Sequence, residues 1–104
     1  MKHRNVRGKI AYIFDPEGER IDFGREWWSV TFHEDGQRTL RAHCEIEPGV
    51  VADRSVLRET VYTTDSQYHP LDCFVRLHES GKFLGSGWFR FTDGWAECEA
   101  VNVT

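Results

Sequence analysis

Residues 68–103, YHPLDCFVRLHESGKFLGSGWFRFTDGWAECEAVNV, decide the fold class, because they hold two hairpins whose turn chemistry and alternation are legible residue by residue. Asp93-Gly94 is a dipeptide favoured by two-residue type I′ turns, in which both central residues take positive φ. With Thr92 opposite Trp95, the register predicts Phe91/Ala96, Phe89/Cys98 and Gly87/Ala100 on one face. Arg90/Glu97 and Trp88/Glu99 then fall on the other. One apolar face and one face with a cross-strand ion pair is the pattern of an antiparallel sheet with one side toward water.

The hairpin around Glu79-Ser80-Gly81 admits two registers, and the wrong one would send every side chain to the opposite face. A two-residue turn sets Arg76 and His78 beside Gly85 and Phe83. A three-residue loop with Gly81 left-handed pairs Leu77/Phe83, Val75/Gly85, Cys73/Gly87 and Leu71/Phe89, which continues the apolar face, so this register is expected. The middle of that face is small, with Gly85, Gly87, Ala96, Cys98 and Ala100. Glycine within a strand marks curvature or the close approach of another group. Such a floor suits a barrel wall or a ligand pocket; alternatively, large side chains of other strands fill the hollow.

Upstream, Val6–Phe14 alternates as a strand and Asp15-Pro16-Glu17-Gly18 reads as a turn. Arg20–Phe23 reads as a short return strand, with Gly24 interrupting before the next element. Glu26–Phe32 follows, and a loop with Gly36 left-handed pairs Val30/Leu40, Trp28/Ala42 and Glu26/Cys44. Arg54–Thr64 is a β-branched strand of undetermined facing, and Pro70 opens the next strand at its first position. The likeness of Val30–Gln37 to Val75–Lys82, offset by 45 positions, raises an internal hairpin duplication. Residues 1–104 are therefore expected to form a single all-β domain. Its architecture is an antiparallel meander of seven to eight strands making a strongly curved sheet, half-barrel or small barrel.

The meander from Glu26 to Val103, with its Gly-x-Gly-Trp run at Gly85 to Trp88, resembles lipocalin-like (calycin) up-and-down barrels and half-barrels. It departs from them in length and in placing Gly-x-Trp near the C-terminus rather than on the first strand. The likeness is architectural, and no binding residue carries over from it.

Composition narrows the functional classes. The 104 residues are 39% hydrophobic, 29% charged and 13% aromatic, with four Trp and seven Phe, as in a globular domain. A formal net charge of −4 opposes general nucleic-acid binding, which needs a basic surface. No apolar run approaches the ~20 residues of a membrane helix. Met1–Arg7 is polar and no apolar h-region follows, so a soluble cytoplasmic protein is the expectation. Cys44, Cys73 and Cys98 lack CxxC spacing, and His33, His43 and His78 lack paired ligand spacing. Buried free thiols are expected, with no metal and no cofactor.

Three functions follow from these residues. The first is a binding domain holding an apolar or aromatic small molecule against the curved sheet, with Trp28, Tyr62, Gly85, Gly87, Phe89 and Phe91 as its walls, and Trp88 if the facing is reversed. The second is a homodimeric interaction or structural module working through Phe74, Leu84 and Trp88. Each such aromatic removes about 150–250 Å² from water when covered, so a cover is expected from the N-terminal strands or from a second copy. The third is a small enzyme using Asp65, Tyr68 and His69 for acid–base work. No Gly-rich loop opens a helix and no Gly-x-Ser-x-Gly occurs, which removes phosphate cradling and serine hydrolysis.

Overall fold

Six turns, five of them containing a glycine, fold the chain back on itself, and the result is one sheet. The computed structural model describes residues 2–102. Seven strands follow in order: β1 Arg4–Phe14, β2 Ile21–Phe32, β3 Arg38–Ile46, β4 Val56–Thr64, β5 Pro70–Glu79, β6 Lys82–Thr92 and β7 Trp95–Asn102. A 3₁₀ turn at Pro16–Gly18 joins β1 to β2. Each strand pairs antiparallel with its sequence neighbours and with nothing else, giving the order β1-β2-β3-β4-β5-β6-β7. The sheet is open, with β1 and β7 at its edges.

Two of the expected registers are observed. Thr92/Trp95, Phe91/Ala96, Arg90/Glu97, Phe89/Cys98, Trp88/Glu99 and Gly87/Ala100 pair as the Asp93-Gly94 turn requires. Only Gly94 takes positive φ, 73°, so this turn is not of the I′ form. Val30/Leu40, Trp28/Ala42 and Glu26/Cys44 pair across the loop with Gly36 at φ 90°.

The β5–β6 hairpin differs. Ser80 and Gly81, at φ 52° and 76°, form the two-residue turn with both centres left-handed. Pairing runs Glu79/Lys82 and His78/Phe83, then jumps to Leu77/Gly85, Val75/Gly87 and Cys73/Phe89. Leu84 is the extra residue of a β-bulge, which restores the parity a two-residue turn would have reversed. Leu77, Val75 and Cys73 therefore share the expected face, although each partner lies two residues away from the expected one. Phe83 goes to the other face, where the Arg76 guanidinium carbon lies 4.4 Å from its ring centre. Because the β2–β3 and β5–β6 turns differ in form, the likeness of Val30–Gln37 to Val75–Lys82 does not extend to geometry.

The N-terminal elements also depart from expectation. Gly24 does not interrupt: β2 runs unbroken through it, with Phe23 as the extra residue where Tyr12/Gly24 gives way to Ile13/Asp22. A Cβ on Gly24 would stand 2.7 Å from the Glu45 carbonyl oxygen, so glycine is there to let β3 approach. β1 and β2 extend the sheet and do not cover it.

Directly paired residues share a side, so two faces can be traced across all seven strands. Val6, Val30, Leu40, Tyr62, Cys73, Phe89 and Cys98 form one row of the apolar face. Arg7, Ser29, Arg41, Val61, Phe74, Trp88 and Glu99 form the neighbouring row on the opposite, charged face. Among the described residues neither face has a second layer. No large side chain is fully buried, and Cys44 is the one buried hydrophobic residue among those described. Cys73 is half-buried and Cys98 is exposed, which corrects the expectation of three buried thiols.

The two turns at one end of the sheet touch. His33 N–H bonds the Gln37 carbonyl at 2.8 Å and Asp65 N–H bonds the His69 carbonyl at 2.9 Å, so both loops close alike. A Cβ on Gly36 would lie 2.8 Å from Ser66 Cβ, whereas one on Gly94 would meet nothing. Placing an L-residue in the left-handed region costs ~1–2 kcal/mol. Gly94→Ala is expected to lower stability by about that amount in urea unfolding. Gly36→Ala is expected to cost clearly more, and equal losses would mean that the two turns are not in contact.

Candidate functional site

The apolar face collects six of the seven residues expected to line a ligand site. Trp28, Tyr62, Gly85, Gly87, Phe89 and Phe91 all lie on it, and Trp88 lies on the charged face. The glycine hollow is filled from within the sheet. Phe89 folds over Gly87, where an added Cβ would sit 3.1 Å from the ring, and Trp28 folds over Gly8, where it would sit 2.6 Å away. Gly85 has a separate reason: a Cβ there would meet the Val101 carbonyl oxygen of β7 at 2.9 Å.

One polar cluster interrupts the apolar face. The Tyr12 hydroxyl donates to Glu26 Oε2 at 3.0 Å, and the Arg58 guanidinium donates to Oε1 of the same carboxylate at 3.2 Å. Burial, and then the hydrogen bond to Glu26, push the Tyr12 phenol up to about 12. At neutral pH it is a neutral donor holding Glu26, not a base. Cys44 pairs with Glu26 across β2–β3 and is covered by this group. These residues come from β1, β2, β3 and β4, and no local motif announces them.

On the charged face, Phe74 and Trp88 are direct partners across β5–β6, with Val61 next in the row; all three are exposed at 38–39%. Leu84, the third residue expected in that patch, is the bulge residue next to Phe83 and is exposed as well, at 42%. The Arg90 guanidinium carbon lies 4.5 Å from the Trp88 ring centre, and its Nη2 meets Glu99 at 2.6 Å.

A depression of 680 Å³ also lies on the charged face, at the β1–β4 end. Trp27 forms its base, with Lys9 Nζ 5.2 Å from the indole centre and the His43 ring 5.6 Å away. His43 stands between Glu45 at 3.1 Å and Glu59 at 3.6 Å. Hydrogen bonds from His43 and Arg25 hold Glu45 below the usual carboxylate range. Sequence reading passed over this group. Its signal was the Arg7-x-Lys9 alternation on β1, opposite Ser29 and Trp27 once the register is known.

Asp65, Tyr68 and His69 sit in the β4–β5 turn. Asp65 Oδ1 accepts from the backbone N–H of Gln67 at 2.8 Å and of His69 at 2.9 Å, and Oδ2 lies 3.0 Å from His69 Nδ1. The His69 N–H is the main cause, and the Gln67 N–H a further one, that holds the carboxyl below its ordinary value. A carboxylate so occupied is a turn clasp and a weak proton acceptor. Tyr68, left-handed at φ 66°, is 68% exposed and stacks on Arg38 at 4.0 Å. Asp65 and His69 do share a 600 Å³ depression with Leu71, Phe91 and Trp95. Among the described residues no three His, Cys, Asp or Glu side chains converge as metal ligands.

The chain matches no protein-family model, no curated protein and no solved structure. The antiparallel meander is the extent of its likeness to calycin barrels, and no helix is long and apolar enough to cross a membrane among the described residues.

The Asp65 clasp has a pH signature. Its native carboxyl titrates below the unfolded value of ~3.9, so its contribution is present above that pH and is lost as pH falls through the native value. Asp65→Asn is expected to melt below the wild type at neutral pH, with the gap closing on acidification past pH ~3.9. A gap that keeps its size as pH falls well below that value would show that the charge is not what the turn uses.

Proposed function

We propose that the protein is an interaction module that closes its apolar face against a second copy of itself. The observation behind this reading is surface. The chain exposes 7663 Å², whereas a compact monomer of 12.2 kDa exposes about 6,100 Å². Its radius of gyration is 16.5 Å, against ~13 Å for a compact chain of this length. The excess, about 1,600 Å², exceeds the ~800 Å² that each partner contributes to a standard interface. A small molecule lying on an open sheet covers far less, so area favours a protein partner over the apolar ligand of the lipocalin-like reading.

The apolar face is the better candidate of the two for that contact. The Tyr12–Glu26–Arg58 cluster neutralises itself, Arg4 and Arg38 stand at one end of the face beside Phe32, and the rows of Val30, Leu40, Tyr62 and Phe89 supply the transfer energy. On the charged face the Phe74/Trp88 stripe is smaller and is partly covered by Arg90.

Native mass spectrometry and sedimentation at micromolar concentration are expected to give a dimer, with a melting temperature that rises with concentration. Val75→Lys, in the middle of the apolar face, is expected to raise the dimer Kd at least 100-fold, or ~2.7 kcal/mol, while keeping a β-sheet circular dichroism spectrum. Trp88→Lys, on the opposite face, is expected to leave the mass unchanged. A wild-type monomer, or dissociation by Trp88→Lys and not by Val75→Lys, would overturn the assignment.

A further inference from the structure

We infer that the depression around Trp27 on the charged face is a binding site for a small planar aromatic acid. The site is independent of the apolar face and stays outward in the dimer proposed above. Trp27 is 41% exposed, and its ring is already bracketed by a cation and an imidazole. The part of the indole that stays exposed in the depression offers a stacking surface to a further aromatic ring.

Three cations border the depression with no carboxylate partner among the described residues. Arg25, Arg54, Arg58 and Arg90 each meet a carboxylate within 3.2 Å. Arg7 and Lys9 have no ion pair among the described residues, and Arg41 donates only to the Thr31 hydroxyl at 3.3 Å. Yet the chain carries 17 acidic against 13 basic side chains, so carboxylates are not scarce. Arg7 and Arg41 flank Ser29 in one cross-strand row, which sets their backbones about 10 Å apart, two strand spacings. Two long guanidinium arms can converge from that distance over the serine hydroxyl. Arginine matches a carboxylate with paired N–H donors, and the hydroxyl adds a third donor between them. In the next row, Trp27 lies one residue pair away, about the length of an aromatic ring from the anion position. Glu59 and the His43–Glu45 pair border the far side, which places negative charge away from the cations and orients a ligand with its acid toward Ser29. At 680 Å³ the depression is within the range of small-molecule sites.

The test is titration calorimetry with naphthalene-2-carboxylate and with naphthalene-2-carboxamide, which has the same ring and no charge. The wild type is expected to bind the acid at least tenfold more tightly than the amide. The double variant Arg7→Gln, Arg41→Gln is expected to abolish that margin and leave the amide affinity in place. Trp27→Ala is expected to weaken both at least tenfold. All three side chains lie on the solvent side of the sheet, so unchanged melting temperatures confirm that the variants are folded. Equal affinity for acid and amide, binding untouched by Trp27→Ala, or no binding of either probe at millimolar concentration would each overturn the inference.

Discussion

A sheet buries its side chains only against a second layer, and this sheet has none among the described residues. Its cohesion therefore comes from the backbone ladder and from cross-strand pairs worth ~0.2–1 kcal/mol each. The long basic side chains act as a local cover. Arg4 lies 4.5 Å over Phe32, Lys9 5.2 Å over Trp27, Arg38 4.0 Å over Tyr68, Arg76 4.4 Å over Phe83 and Arg90 4.5 Å over Trp88. In each case the charged head itself lies over the aromatic ring, a cation–π contact that shields part of it. Most of these pairs lie on the charged face, which explains how that face carries aromatics without a second layer. On the apolar face Arg4 and Arg38 cover only the end around Phe32 and Tyr68, and further along Trp28 and Phe89 lie down on glycines instead.

Turns and parity were legible in the sequence; bulges were not. The pairings of β2 with β3 and of β6 with β7 follow from the position of one glycine in each loop, a local fact. The β5–β6 pairing depends on Leu84 being skipped, and nothing in Phe83-Leu84-Gly85 marks that residue as unpaired. Parity survives because the turn and the bulge each shift it by one, so Leu77, Val75 and Cys73 were placed correctly while Phe83 was not. Gly24 illustrates the complementary error: glycine reads as a breaker, but here it admits the Glu45 carbonyl of a strand 21 residues later. The groups around Glu26 and Trp27 were invisible for a related reason. Their members are joined by register across three or four strands, and β1, which supplies Tyr12, Arg7 and Lys9, was the strand whose neighbour was least certain.

The number of strands also bears on why the sheet stays open and how copies meet. In a meander the direction alternates, so seven strands leave β1 and β7 running the same way. Closing the barrel would need a parallel junction, whereas an eight-stranded lipocalin closes with an antiparallel one. Both edges are thus left with unpaired backbone groups, the usual template for unwanted pairing. Their charges oppose symmetric pairing: β1 carries Arg4, Arg7 and Lys9 and no acid, and β7 carries Glu97 and Glu99 and no base. Edge-to-edge dimers would set like charges opposite one another, which destabilises a ladder. Head-to-tail pairing of β1 with β7 would match charge but repeats without closing, and so makes fibres rather than particles. Contact through a face escapes both constraints, since a two-fold axis in the plane between two sheets closes after two copies and leaves the charged edges in water.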